Sequence, residues 1–323
     1  MPISAPSRLQ DRLTPEALAR LGSMELRARR IVEGFITGLH RSPYHGFSVE
    51  FAQHRPYNPG DALRHVDWKV WGRRDRLVVK QYEEETNLRH TVVLDTSASM
   101  RYRGSGPEGS EERLSKLEYG ATLAAALHTL MVRQRDATGL AAFDARVHTL
   151  VPPRSTRAHL RELLARLDAL ATAPPAPDPS PEGHTAVAAA LHDVAERLPR
   201  RSLVTLISDL FETAAEADEL TRALRHLRHR GHETLVLHVL DRASEQRFEI
   251  GDRPVRMRDL ETGETLTLQP AQLREHVRAA TTAFADDARR RCREVEADYA
   301  LVDTARPYAD ALAAYLQKRK RLF

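Results

Sequence analysis

An acid and two serines alternate in Asp95-Thr96-Ser97-Ala98-Ser99, directly after the apolar run Thr91-Val92-Val93-Leu94. The run is β-branched and apolar without alternation, which predicts a strand buried on both faces. Asp95, Ser97 and Ser99 then fall on a loop at its carboxyl end, where open α/β sheets hold their ligands. Alternate oxygens on a tight loop can turn toward one point, and a hard cation accepts such ligands. A second apolar run, Ser202 to Ser208, also ends in an acid, Asp209, and between the two Gly183-His184-Thr185 opens a helix. Together these loops offer two carboxylates and three hydroxyls toward the roughly six oxygens that one divalent cation needs. Each loop alone is explained as a helix N-cap. All three in this order are much harder to explain that way.

The elements that must position these residues follow from periodicity and punctuation. After the acid-serine loop come a helix from Leu114 to Val132, strands over Thr138 to Phe143 and Val147 to Val151, and a helix from Ser155 to Leu170. A stiff, Pro-rich stretch from Pro174 to Gly183 precedes a helix from Thr185 to Leu198. The strand Ser202 to Ser208, a helix from Ala215 to Arg230 ended by Gly231, and the strand Glu233 to Leu240 come next. Phe248 to Leu268 reads as a hairpin or small meander, followed by a helix from Gln272 to Glu296, a strand from Tyr299 to Val302 and a helix from Tyr308 to Lys318. Alternating strands and helices imply an α/β fold, a mostly parallel sheet with helices on both faces, over residues 89–323.

Residues 1–88 form a separate small helix and β segment on this reading. Thr14-Pro15-Glu16 is an N-cap with Pro at the first helical position. A break near Leu21-Gly22-Ser23 leads to a second helix with Leu26, Ile31, Phe35 and Ile36 on its buried side. Phe47 to Phe51 alternates as a short strand, and Leu77 to Tyr82 is another. Arg55-Pro56-Tyr57-Asn58-Pro59-Gly60 is turn chemistry, after which Asp61 caps a short helix carrying Trp68 and Trp71. Asp61, Arg64 and Asp67 are three apart, so they can share a helical face and pair; the Trp residues form an apolar anchor there or a face for a partner.

Asp95-Thr96-Ser97-Ala98-Ser99, then Thr185, then Asp209 resemble the metal-ion-dependent adhesion site of von Willebrand factor A domains. That resemblance implies a Rossmann-like sheet in which Ser97, Ser99 and Thr185 ligate the ion, Asp95 and Asp209 bind it directly or through water, and a partner's carboxylate completes the shell. Mg2+ is the expected ion, with Mn2+ or Ca2+ as alternatives. The stretch from Arg55 through Tyr57, Gly60, Asp61, Arg64 and Asp67 to Trp68, with Leu77 to Glu85, is similar to the signature of the bacterial family called domain of unknown function 58. Many members of that family are encoded beside AAA+ ATPases of the MoxR type, which implies a protein partner of that kind in a chaperone-like assembly.

Composition narrows the classes. The chain has 323 residues, 41% hydrophobic and 29% charged, with a formal net charge of +4. Its 49 basic and 45 acidic residues are interleaved, which argues against a nucleic-acid partner. A single cysteine, Cys292, excludes an intrachain disulfide and fits a reducing cytoplasm. No apolar run approaches the roughly 20 residues of a membrane helix. Gly104-Ser105-Gly106-Pro107-Glu108-Gly109 matches the dinucleotide pattern by letter, but it lacks a directly preceding strand and leads into Glu111-Glu112. No Gly-Lys-Ser/Thr phosphate loop occurs. His226, His229 and His232 read as part of a solvated basic helix end, and Lys318-Arg319-Lys320-Arg321 as cations at a helix C-terminus. The expectation is a binding and scaffold protein, not an enzyme. The alternative is a metal-dependent phosphatase or hydrolase using Asp95, for which the Asp-x-Asp of dehalogenase-type phosphatases is missing because Ser97 stands at its second position.

Overall fold

Strand β3 (Arg89–Asp95) lies inside a six-stranded sheet, and its side chains from His90 to Asp95 are all buried. The computed structural model describes residues 14–41, 54–56, 70–72, 78–80, 88–104, 113–174, 187–210 and 214–320. The chain divides into two compact units, Met1–Gly38 with Leu88–Phe323, and Leu39–Asn87. The helices before residue 38 therefore belong with the sheet, whereas the sequence grouped them with the short strands that follow.

In the smaller unit, β1 (His54–Pro56) pairs antiparallel with β2 (Val78–Lys80), Arg55 opposite Val79. Tyr57, Gly60, Asp61, Arg64, Asp67 and Trp68 lie outside the described residues, as does the expected strand at 47–51. Trp71 is described and is 44% exposed, so it is not a buried anchor.

In the larger unit, α1 (Pro15–Ala19) is capped by Thr14 and α2 (Met24–Arg41) follows the expected break. Met24, Ala28, Ile31, Val32 and Phe35 are buried, one face at helical spacing. Leu26, expected on that face, points away and is 38% exposed. Next come α3 (Lys116–Arg133), β4 (Ala137–Phe143), β5 (Val147–Arg154), α4 (Arg157–Thr172), α5 (Val187–Arg197), β6 (Ser202–Ser208), α6 (Ala214–His229) and β7 (Glu233–Leu240). The chain ends in β8 (Val255–Arg258), β9 (Thr265–Leu268), α7 (Pro270–Glu294), β10 (Asp298–Asp303) and α8 (Ala309–Lys320). The expected elements of this unit are present, and β6 and β7 have the predicted bounds.

The strand order is β10-β7-β6-β3-β4-β5, with β5 antiparallel at one edge and the other pairs parallel. Val93, Leu206 and Val236 face a core completed by Leu191 and Val194 of α5, Leu224 and Leu227 of α6, and Ala288 and Cys292 of α7. On the opposite face α3 lies close against β3 and β6: a Cβ on Gly120 would stand 3.1 Å from Ile207 and 3.4 Å from Leu94. Tyr119 of α3 stacks on Tyr308 next to α8. This is the expected Rossmann-like α/β sheet of the von Willebrand factor A type, helices on both faces.

The topology fixes where a ligand can sit. From β3 the chain proceeds to β4 on one side, whereas β6 lies on the other side and leads to β7. The order therefore reverses between β3 and β6, and the crevice outside their carboxyl ends is the switch point of the sheet. Asp95 closes β3, and Asp209 directly follows β6.

Candidate metal-binding site at the switch point

Asp95 is fully buried and its two oxygens are separately held. Oδ1 accepts from the Ser97 amide at 2.9 Å and Oδ2 from the Ser208 hydroxyl at 2.6 Å. Thr96 turns away: its amide and its hydroxyl both donate to the Phe143 carbonyl on β4, at 2.8 and 2.7 Å. That anchoring explains the alternation in the sequence, because it leaves Ser97 and Ser99 facing each other, their Oγ atoms 3.1 Å apart. A short 3-10 helix, Ser99–Arg101, follows.

Asp209 is buried beside this loop, and the next residue, Leu210, has φ +52. A non-glycine residue in the left-handed region is held there only by its surroundings. Here the Leu210 amide donates to Ser208 Oγ at 2.9 Å and its side chain is buried. Asp209 Oδ2 accepts from Lys116 Nζ at 2.7 Å, and the same ammonium reaches Glu245 Oε1 at 2.7 Å. Burial works against the charge on Lys116, but Asp209 and Glu245 overrule it and hold its pKa above the ordinary value. Among the described residues Asp95 has no such ion pair. Burial, then the neighbouring Asp209 charge, push it up to about 7, against hydrogen bonds from Ser208 and Ser97 that lower it.

Lys116, Glu245 and Asp241 are the residues that sequence reasoning missed. Lys116 is the first residue of α3, inside the capping box of Ser115 and Glu118. A cation at a helix N-terminus opposes the macrodipole, and that anomaly is the signal the sequence contained. Glu245 lies on a π-helical turn, Arg242–Gln246, capped by Asp241. Asp241 in turn binds Arg113 at 2.7 Å. Burial raises the pKa of Asp241, but hydrogen bonds from Ser244 and Arg113 bring it below the usual carboxylate range.

The oxygens of Asp95, Ser97, Ser99 and Asp209 are of the kind that a hard divalent cation takes. Mg2+ binds oxygen at about 2.0–2.1 Å in an octahedron, so neighbouring ligand oxygens stand about 3.0 Å apart. The Ser97–Ser99 separation has that length. Asp95, whose pKa is raised by burial and then by the Asp209 charge, is stabilised as the carboxylate by any cation placed beside it. Thr185, the fifth expected ligand, lies outside the described residues. Among the described residues no three His, Cys, Asp or Glu side chains converge on one metal position, so the candidate set depends on its hydroxyls.

The histidine-rich end of α6 is a different matter. A cavity of about 490 Å³, lined by Glu196, Arg200, Arg201, His226 and Arg230 among others, opens near the amino ends of β6 and β7. His226 and Arg230 both pair with Glu196, and Arg228 with Glu233 and Glu296. The carboxyl ends of α5 and α6 account for the remaining cations, whereas His232, expected on that solvated end, is buried and its Nδ1 accepts from the Ser202 amide at 3.3 Å.

The chain is similar to proteins without an assigned role. It is 30% identical over 277 residues to Uncharacterized protein Rv1480 of Mycobacterium tuberculosis (strain ATCC 25618 / H37Rv), across 85% of this chain and 81% of that protein. The same figures hold for Uncharacterized protein Mb1516 of Mycobacterium bovis. Among solved structures it is similar to the conserved hypothetical protein BatB from Bacteroides thetaiotaomicron, at 18% identity and a TM-score of 0.44, over 72% of this chain and 99% of that one. An aerotolerance-related membrane protein from Bacteroides fragilis NCTC 9343 matches with the same values. In this chain no helix among the described residues is long and apolar enough to cross a membrane. The family model described as Protein of unknown function DUF58 matches residues 53–290, and the chain belongs to that family.

Proposed function

We propose that this protein is a metal-dependent binding scaffold rather than an enzyme. Asp95, Ser97, Ser99, Thr185 and Asp209 hold one divalent cation, Mg2+ in preference to Mn2+ or Ca2+, and present it to an acidic side chain of a partner protein. When bound, the cation supplies an oxygen-seeking charge for that carboxylate. The observation that carries this reading is the pair of serine hydroxyls at ligand-to-ligand spacing beside a buried, unpaired carboxylate at the sheet's switch point. A MoxR-type AAA+ ATPase in the cytoplasm is the proposed partner. This rests on the family resemblance and on the absence from the sequence of a phosphate-binding loop, so that ATP hydrolysis would come from the partner.

The hydrolase alternative is less well supported. The second acid of the Asp-x-Asp pair that such phosphatases use is replaced by Ser97. Lys116, beside the site, is committed to Asp209 and Glu245. The test is co-purification of a MoxR-type AAA+ ATPase with the full chain. Capture is expected with Mg2+ and lost with EDTA or in Asp95→Ala. Capture that survives both treatments removes the mechanism. Turnover of p-nitrophenyl phosphate that disappears in Asp95→Asn restores the hydrolase.

A further inference from the structure

At the end of the sheet away from Asp95 and Asp209, two helices stop side by side. α5 ends at Arg197 and α6 at His229, and a short turn leads from each into β6 or β7. Both turns pass through the left-handed region, at Arg201 (φ +59) and Gly231 (φ +80). They are set against each other, since a Cβ on Gly231 would stand 3.8 Å from Arg201 Cγ. The bond from the Ser202 amide to His232 Nδ1 ties one turn to the other between two buried residues. The Ser202 hydroxyl donates to the Pro199 carbonyl at 2.6 Å, and the His232 amide to the Leu227 carbonyl at 2.9 Å. The cavity of about 490 Å³ that opens here therefore has walls fixed by the fold.

Its charge is not balanced. Arg200, Arg201 and Arg230 line it with His226 and His229, against one acid, Glu196. That carboxylate is already shared by His226 at 3.0 Å and Arg230 at 3.4 Å. Among the described residues the side chains of Arg200, Arg201 and His229 have no hydrogen-bond or ion-pair partner, and Arg230 Nε is buried without an acceptor. The carbonyl ends of α5 and α6, about half a negative charge each, explain why cations gather here. They do not neutralise three guanidiniums that share one carboxylate, so the cavity keeps a net positive charge. A buried N–H without an acceptor is costly, and an anion held against Arg230 would supply one.

The side chains also narrow the kind of anion. Guanidinium forks match phosphate oxygens, often two at a time. Three forks brought from two turns suit a tetrahedral phosphate, whose oxygens point in several directions, better than a flat carboxylate. The volume falls within the roughly 300–1,000 Å³ of small-ligand sites, which leaves room for more than one phosphate group. No large exposed apolar side chain among the described residues lines the cavity, so nothing there would enter a bilayer.

We infer that this cavity binds a soluble polyanion of linked phosphate groups, at a second site independent of the candidate cation site. Tripolyphosphate is titrated calorimetrically into the full-length protein in EDTA, so that no metal bridges it to the Asp95 loop. Wild type should bind one equivalent, more tightly than it binds citrate, a carboxylate polyanion. Arg200→Gln and Arg201→Gly should each weaken binding about five- to tenfold, and the double variant should lose it. Glycine suits φ +59, so the thermal midpoint of Arg201→Gly should not fall, which separates loss of ligand from loss of fold. Arg166→Gln, exposed on α4 and paired with Glu162, should bind as wild type does. Absence of binding, equal affinity for citrate, or affinity unchanged in both Arg200→Gln and Arg201→Gly overturns the inference. So does co-sedimentation with phosphatidylserine vesicles without binding of tripolyphosphate, which would make the cluster a membrane-facing surface instead.

Discussion

Lys116→Met deletes one charge and keeps most of the apolar stem, so it isolates the buried ammonium. Lys116 is 3% exposed and Asp209 1%, with 2.7 Å between Nζ and Oδ2; Glu245, the other partner, is 23% exposed. Removing one member of a buried pair costs about 3–5 kcal/mol, because the remaining charge is stranded. The share of Glu245 is discounted, since it is partly in water and still accepts from the Asp241 amide at 2.7 Å. Asp209 carries the cost, and a loss of about 3–5 kcal/mol is expected at neutral pH in EDTA. For a domain of this size 1 kcal/mol moves the midpoint by about 2 °C, so Tm should fall by roughly 6–10 °C.

Thermal unfolding followed by circular dichroism reads this directly, and a double-mutant cycle assigns it. In Lys116→Met/Asp209→Asn the stranded charge is gone, so the pair should be more stable than Lys116→Met alone. Mg2+ should raise the Tm of Lys116→Met more than that of wild type, because Asp209 is then released to the cation. A loss below about 1 kcal/mol, or strict additivity in the cycle, refutes the claim that Asp209 depends on this ammonium.

Two further predictions concern pH. The folded-state pKa of Asp95 stands above its ordinary 3.8, at about 7, so ionising it opposes folding. This cost is absent below the unfolded pKa and grows until pH passes the folded one. Over that interval, at about 1.4 kcal/mol per pH unit, Asp95→Asn should gain up to about 4 kcal/mol over wild type in EDTA by pH 8, and almost nothing near pH 4. Urea unfolding at several pH values measures the difference, and a difference independent of pH would falsify the assignment. Buried His128 and His238 act in the opposite sense, since burial depresses both, His238 to about 4. Their stabilisation is complete above the unfolded value of 6.5 and is lost as pH falls from there toward 4. In an Asp95→Asn background the urea midpoint should therefore drop steadily below pH 6.5, and a flat profile contradicts it.

The sequence made legible whatever depends on local pattern. An unbroken apolar run that stops at an acid is a buried parallel strand with its ligand end marked, which is why Asp95 and Asp209 could be placed at strand ends and Ser97 and Ser99 on the loop between β3 and α3. Elements that depend on packing across the chain were not legible. Nothing in the pattern of Pro15 to Phe35 says that α1 and α2 belong with the sheet, because an amphipathic face does not name what it covers. Lys116, Glu245 and Asp241 come from a helix start, a π turn and the cap of that turn, and meet the site only through space.

The two strand-end loops are joined directly to each other. Ser208 Oγ donates to Asp95 Oδ2 and accepts from the Leu210 amide, so one hydroxyl ties the end of β3 to the end of β6. Holding Leu210 at φ +52 costs on the order of 1–3 kcal/mol, and the buried side chain is what keeps it there. Such a link has a direct consequence for binding. A loop that must be ordered by its ligand spends part of the binding energy on ordering, whereas carboxylates and hydroxyls already turned to one crevice do not. The Ser208 hydroxyl, outside the five residues proposed to hold the ion, therefore fixes Asp95 against the strained turn at Leu210. Its loss in Ser208→Ala would reach the site through Asp95 and the strained turn together.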